Sequence, residues 1–400
     1  MSEITDEAYR RAVDLLDKAA TPHGFVASPA FDHYAVVWAR DALISSLGGL
    51  AVGTPKLVTA VAATLDTLSS HASALGQIPA LVAPARGEWD FAEGGVVDTT
   101  AWFVIVVDAY AKATGDIERV RTWWSTAEAA MRWLHYQDVT GSGLISAAPS
   151  TDWMDAALTR SGRTLHLNVL YFWAATSYES VAALTGQDGG RESTRIGRAV
   201  DDWFWPSPRV DAGTLFPHGF AHDATRIAYW EAASENRTHY LSHIVHAAFI
   251  DRCDVLANIL AIRSGLADGE KSRRILEVIA DCADPHPTRT FPEPILAGDG
   301  TGMLISVAEA SIPDRWRNRP GTYHNAAAWP FVGGFHVEAL ARVAGRTAAL
   351  PLLERLAATN AAGEWSFAEW IDAAGVPVGA ALQTWNAATF ALAYHACLGS

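Results

Sequence analysis

Cysteine is nearly absent: Cys253, Cys282 and Cys397 are the only three among 400 residues, and none forms a CxxC pair. So few thiols supply neither a disulfide framework nor a thiolate metal cluster, and they point to a reducing compartment. Long apolar runs are missing too. Stretches such as Trp102 to Val107 fall far short of the roughly 20 residues that a membrane span requires. The first twenty residues mix acids and bases without an apolar signal core, so the chain reads as soluble and cytoplasmic. Charge is sparse, at 18% of residues against about a quarter in an average domain. Bases are the scarcer kind, 30 Lys plus Arg against 44 Asp plus Glu, for a net charge of −14. That balance repels phosphate backbones and anionic membranes, which excludes nucleic acid and membrane as partners. A phosphate-binding loop, a GxSxG elbow, an HExxH helix and a GxGxxG turn are all lacking. Nucleotide, esterase, metalloprotease and dinucleotide chemistry therefore have no residues to rest on.

What is present is a large apolar fraction, 50%, arranged with helical spacing. Residues 98–114 begin at Asp98, repeat apolar positions every three or four residues, and stop before Gly115. The same cadence, a helix closing on a glycine and a new charged start, recurs around Gly186, Gly265 and Gly345. Each reads as the turn of a helical hairpin. The spacing predicts twelve helices, near 4–20, 38–52, 55–71, 98–114, 117–136, 166–185, 191–204, 253–264, 269–282, 326–344, 347–360 and 384–397. No linker divides them. The stretches between, 72–97, 137–163, 205–250, 283–325 and 361–383, are long enough to be functional or to carry small strands, expected chiefly in 72–97 and 205–250. Twelve helices in six hairpins predict one all-α domain over residues 1–400, an (α/α)6 barrel with rich loops at one end. An open solenoid is the rival, but no repeat of constant length is visible.

Those loops hold the chemistry. Sixteen tryptophans are present, and several adjoin charged groups: Trp38 beside Arg40 and Asp41, Trp89 between Glu88 and Asp90, Trp153 between Asp152 and Asp155, Trp370 beside Glu369 and Asp372. The first cluster reads equally as a helix cap or as a polar floor for sugar hydroxyls, and Asp98 equally as a cap. A carboxyl next to Trp153 is expected to be desolvated, which raises its pKa toward that of a useful general acid. His239, His243 and His246 would share a helical face, yet no Cys or carboxylate completes a ligand set, so neither metal nor cofactor is expected. Two carboxyls from distant loops, set among aromatic rings, are what glycosidic hydrolysis requires.

At these residues the sequence resembles known enzymes. The segments 94–116, 153–175, 248–262, 323–334 and 367–393 are similar, in this order, to the alkaline/neutral invertases of glycoside hydrolase family 100 and to prokaryotic amylo-α-1,6-glucosidases of the glycogen-debranching type. The resemblance implies an (α/α)6 barrel and inverting hydrolysis by an Asp acid and a Glu base. It maps the acid onto Asp155, with Asp152 as the competing choice, and the base onto Glu369. It further implies that Trp38, Arg40, Asp41, Asp98, Asp152, Trp153, His324, Asn325, Trp329, Gln383 and Trp385 line the sugar site.

Two positions depart from the pattern. His166 stands where both groups carry a Glu, and Ala326 and Ala327 follow His324 and Asn325 where two glycines are usual. These changes put sucrose and branch points in question as substrates. The expected activity is therefore exo-hydrolysis of a short α-glucoside or a sucrose-like oligosaccharide. The alternatives are a sugar epimerase on the same ring and a non-catalytic carbohydrate-binding relative.

Overall fold

The computed structural model describes residues 2–92, 96–155, 158, 160–211, 215, 223–283, 288–296 and 318–399. Thirteen α-helices lie among them: α1 (Glu3–Ala19), α2 (Ala39–Val52), α3 (Pro55–Ser70), α4 (Asp98–Thr114), α5 (Ile117–Tyr136), α6 (Leu165–Thr185), α7 (Ser193–Phe204), α8 (Asp223–Ala232), α9 (Val255–Ser264), α10 (Gly269–Ile279), α11 (Pro330–Ala344), α12 (Arg346–Trp365) and α13 (Thr384–Leu398). Twelve answer the twelve predicted helices to within a few residues; α8, inside the stretch read as a loop, is the extra one. The predicted loop 283–325 lies largely outside the described residues.

Burial sorts the helices into two layers. In α4, thirteen residues from Asp98 to Ala111 are buried, on every face of the helix, as expected of a helix surrounded by protein. In α5, burial is confined to Val120, Trp123, Ala127, Ala130 and Leu134, one stripe at three- and four-residue spacing. The fully buried helices α2, α4, α6, α9, α11 and α13 contact one another in that order, and α13 returns to α2. This is a closed inner ring of six. Helices α1, α3, α5, α7, α10 and α12 alternate with them along the chain and form the outer layer. The fold is therefore the predicted (α/α)6 barrel.

Ring closure needs close approach. A Cβ on Gly48 in α2 would lie 2.4 Å from the Ala388 backbone of α13, and one on Gly334 in α11 would lie 2.5 Å from Thr389 of α13. Two glycines thus let α13 wedge between its ring neighbours.

Because inner and outer helices alternate in direction, all six inner helices start at the same end. Short antiparallel sheets decorate that end. Strand β3 (Val37–Trp38) pairs with β4 (Leu81–Ala83) and β4 with β5 (Glu88–Asp90); β6 (Arg163–Thr164), β7 (His243–Val245) and β8 (Ala248–Ile250) form a second sheet; β9 (Trp370–Ile371) and β10 (Pro377–Val378) form a hairpin. A separate hairpin, β1 (Ala20–Thr21) and β2 (Gly24–Phe25), follows α1. The strands in 72–97 and 205–250 were expected. His239, His243 and His246 are a correction: His243 lies in β7 and His246 in the turn after it at φ +51°, so the three share no helical face. An alternating strand and a short helix were indistinguishable in that segment. Among the described residues no three His, Cys, Asp or Glu side chains are grouped to hold a metal, and no helix is long and apolar enough to cross a membrane.

The ring geometry predicts an asymmetry between glycines. Gly48→Val should cost at least about 3 kcal/mol, the upper range for overpacking. Gly269→Ala, where a Cβ meets nothing within 4 Å, should be neutral or gain up to about 1 kcal/mol. Urea unfolding of both variants checks this.

Candidate active site

Six helix N-termini converge at the loop end, each carrying roughly half a positive charge. Carboxylates gather there. A cavity of about 630 Å³ opens among Trp38, Arg40, Asp41, Ala80, Ala92, Val96, Thr99, Pro149, Ser150 and Asp155, within the range of small-ligand sites. Trp38 precedes the first turn of α2, and its Nε1 donates to the His33 carbonyl at 3.2 Å, which fixes the ring at the cavity wall.

Arg40, next along α2, ties three elements together. Its Nε and Nη2 donate to the two oxygens of Asp98 at 2.5 and 3.1 Å, and Nη1 donates to Asp155 Oδ2 at 3.2 Å. Asp98 is fully buried as the first residue of α4. It caps nothing; its carboxylate serves Arg40. Burial favours the neutral acid, but Arg40 and then His166 outweigh it and hold Asp98 below the usual carboxylate range. Burial likewise opposes charge on Arg40, yet Asp98 and Asp155 keep it firmly protonated.

Asp155 corrects one expectation. Its desolvation does push the pKa up, but His324 and Arg40 outweigh it, and the net shift is downward. The side chain is 44% exposed to the cavity, with His324 Nε2 at 3.9 Å from Oδ1. The raised carboxyl is Asp41, at about 7. Burial is the main cause; Arg40 opposes it, and the charges of Glu369 and Asp155 add to it. The charges of Asp155 and Glu369 thus both act on Asp41, and both act on the buried Tyr323, whose pKa rises through burial and then through Glu369 and Asp155.

Glu369 immediately precedes β9. Its Oε2 accepts the Ala380 N–H at 3.0 Å, and Gly379, at φ +82°, leaves room for it, since a Cβ there would stand 2.2 Å from that oxygen. Asp155 leads into α6 and Glu369 into α13, which stand opposite each other in the ring of six.

Trp153, His324, Trp329 and Trp385 are buried in one aromatic cluster with Phe331: His324 stacks on Trp329 at 5.1 Å, and Trp385 on Phe331 at 4.2 Å. Nε1 of Trp153 and of Trp385, and Oε1 of Gln383, have no hydrogen-bond partner among the described residues. Asn325 points elsewhere: it exchanges hydrogen bonds with the Ile295 backbone at 2.6 and 2.9 Å and donates to the Asn318 carbonyl at 2.8 Å. Asp152 also lies off the cavity. It is buried against Arg160 at 2.8 Å, and Arg160 in turn binds Asp254, the N-cap of α9. Of the two candidate acids, only Asp155 faces the cavity.

Sequence reasoning missed Tyr323 and Arg160. Tyr323 sits at φ +48°, unusual for a side chain of that size, and Ser150, Ala326, Phe367 and Leu382 in the same loops also have positive φ. Such strain clusters at functional sites.

A family model described as amylo-alpha-1,6-glucosidase matches residues 11–204, the part that contains Arg40, Asp98 and Asp155. No curated protein matches the sequence. Among solved structures, the GH63 mannosylglycerate hydrolase of Thermus thermophilus in complex with Tris and D-glycerate aligns over 96% of this chain and 99% of its own, with 15% identity and a TM-score of 0.67. Its glucose complex gives 14% and 0.68 over the same shares of the two chains. The GH78 rhamnosidase of Bacillus sp. GL1 aligns over 98% of this chain and 34% of its own, with 16% identity and a TM-score of 0.66.

Asp41 makes a pH prediction. A carboxyl whose folded pKa lies near 7 against about 3.9 unfolded supports stability fully below pH 4 and withdraws that support as pH rises to about 7. His243 and His336, each lowered by burial to about 4, act oppositely in the same window, so only a difference isolates Asp41. Asp41→Asn should match the parent near pH 4 and exceed it by up to about 4 kcal/mol above pH 7, as read from urea melts at each pH. The match and the alignments together give the chain the (α/α)6 barrel of GH63-type glycosidases.

Proposed function

We propose that the protein is an inverting, exo-acting glycoside hydrolase for short glycosides, with Asp155 as general acid and Glu369 as general base. One observation carries the reading: Asp155 and Glu369, which lead into opposite helices of the ring, lie near enough for their charges to act on the same Asp41 and Tyr323 beside a cavity walled by Trp38, Arg40, Asp41 and Asp155.

The chemistry follows from the placement. A sugar ring docks against Trp38 with its glycosidic oxygen toward Asp155. Glu369, held by the Ala380 N–H, takes a proton from a water on the opposite face of the sugar. The water oxygen bonds to the anomeric carbon as the carbon–oxygen bond to the leaving group breaks, and Asp155 gives that oxygen its proton. After turnover Glu369 holds the extra proton and Asp155 lacks one, and solvent exchange restores both. Carboxyls facing each other across a ring leave space for that water, an arrangement that gives inversion.

The proton must be available near neutrality. Coupled carboxyls share protons as a group, and in the free protein the proton resides on Asp41, whose pKa is about 7. A glycosidic oxygen entering beside Asp155 can only accept a hydrogen bond, which favours the protonated form of that carboxyl and makes Asp155 the better proton holder while Arg40 keeps its hold on Oδ2. The cavity suits one or two sugar units, which favours a short α-glucoside or a sucrose-like oligosaccharide. A substrate panel should also hold mannosyl and glucosyl glycerates, given the activity of the Thermus enzyme.

Asp155→Asn and Glu369→Gln should each lower kcat by about 10²–10⁴ with little change in product affinity. A substrate with an activated leaving group should restore much of the Asp155→Asn rate and none of the Glu369→Gln rate. Full activity in both variants would remove the assignment.

A further inference from the structure

Of the buried polar side chains beside the site that the reaction as described leaves unused, one adjoins the Asp98–Arg40 pair. His166, the second residue of α6, is 1% exposed, and neither ring nitrogen has a hydrogen-bond partner among the described residues. A buried polar ring with no hydrogen bond of normal length costs about 1–3 kcal/mol, so its retention calls for a reason. Its Nε2 lies 3.7 Å from Asp98 Oδ2. The same oxygen accepts Arg40 Nε, the other oxygen accepts Nη2, and the third arm of the guanidinium, Nη1, reaches Asp155. Four side chains from three helices and one loop thus form a line that ends at the acid.

We infer that His166 is a positioning residue for the protonation step: it fixes the Asp98 carboxylate, which fixes the Arg40 guanidinium, whose free arm aims Asp155. The inference rests on the hydrolytic reading above. A carboxylate gripped along one edge by Arg40 can still turn about its Cβ–Cγ bond. An imidazole Nε2–H against Oδ2 opposes that rotation from the other side, and the low dielectric around fully buried groups strengthens the restraint. Without His166, Asp98 turns toward Arg40, the guanidinium follows, and Nη1 leaves Asp155. The sugar contacts at Trp38 are untouched, so binding should survive while proton delivery suffers.

The test compares two glycosides of one sugar, an alkyl glycoside and a dinitrophenyl glycoside whose leaving group needs no proton. His166→Phe should lower kcat on the alkyl glycoside by at least about tenfold, leave its KM within about twofold, and barely change kcat on the dinitrophenyl glycoside. His166→Gln, whose amide N–H can face Asp98, should recover most of the loss. Equal losses on both substrates, or a raised KM at constant kcat, would make His166 a packing residue and overturn the inference. ¹⁵N NMR of the parent protein supplies a readout that needs neither variant nor substrate. The ring should carry its proton on Nε2, and a proton on Nδ1 alone would also overturn it. A parent protein that hydrolyses neither glycoside would instead sink the hydrolytic reading.

Discussion

A single guanidinium, Arg40, holds the loop end of the barrel together electrostatically. Asp98, Asp155 and Asp41 all lie close to it, and two of them bind it directly. One positive charge cannot neutralise three carboxylates and a nearby Glu369. The surplus is met partly by the positive ends of six inner helices and partly by a proton, which settles on Asp41 because burial there outweighs the pull of Arg40 and the charges of Glu369 and Asp155 add to it. The same accounting keeps Asp155 ionised in the free protein and able to take the proton once a glycosidic oxygen that accepts its hydrogen bond lies beside it.

A second buried cation plays the mechanical counterpart. Arg160, 1% exposed, lies between Asp152 and Asp254 and so ties the loop that carries Asp155 to the start of α9. Breaking such a group by removing one partner typically costs about 3–5 kcal/mol, because the orphaned charges stay buried. Asn325 and Asn168 do similar work with neutral groups, each latching a loop backbone through both ends of its amide. The site is therefore held by polar cross-links between loops, over a floor of interlocked aromatic rings.

The helices were legible because burial on an inner ring and on an outer layer writes two clear patterns: unbroken apolar runs as in α4 and one-sided stripes as in α5. Their ends were legible through glycines such as Gly115 and Gly186. Asp155 and Glu369 stood out because acids beside Trp are rare in ordinary loops. The pKa order of the carboxyls was not legible. It depends on Arg40, more than a hundred residues from Asp155 in the chain, and on His324, and no local pattern reports either. Asp155 was set above Asp152 only through the family resemblance, because nothing local in the sequence reports that Asp152 is buried against Arg160. His239, His243 and His246 misled because a three- and four-residue spacing also occurs by chance across a turn and a strand.

The central claim is that Asp155 and Glu369 act on one glycosidic bond from opposite faces, with a water between Glu369 and the anomeric carbon. Proton NMR of the sugar released in the first minutes of hydrolysis, before mutarotation, tests this most directly. The account predicts that an α-glycoside yields the β-anomer first. Release of the α-anomer would mean that Glu369 bonds to the sugar itself, or that another group performs the attack, and would contradict the placement of the two carboxyls described above.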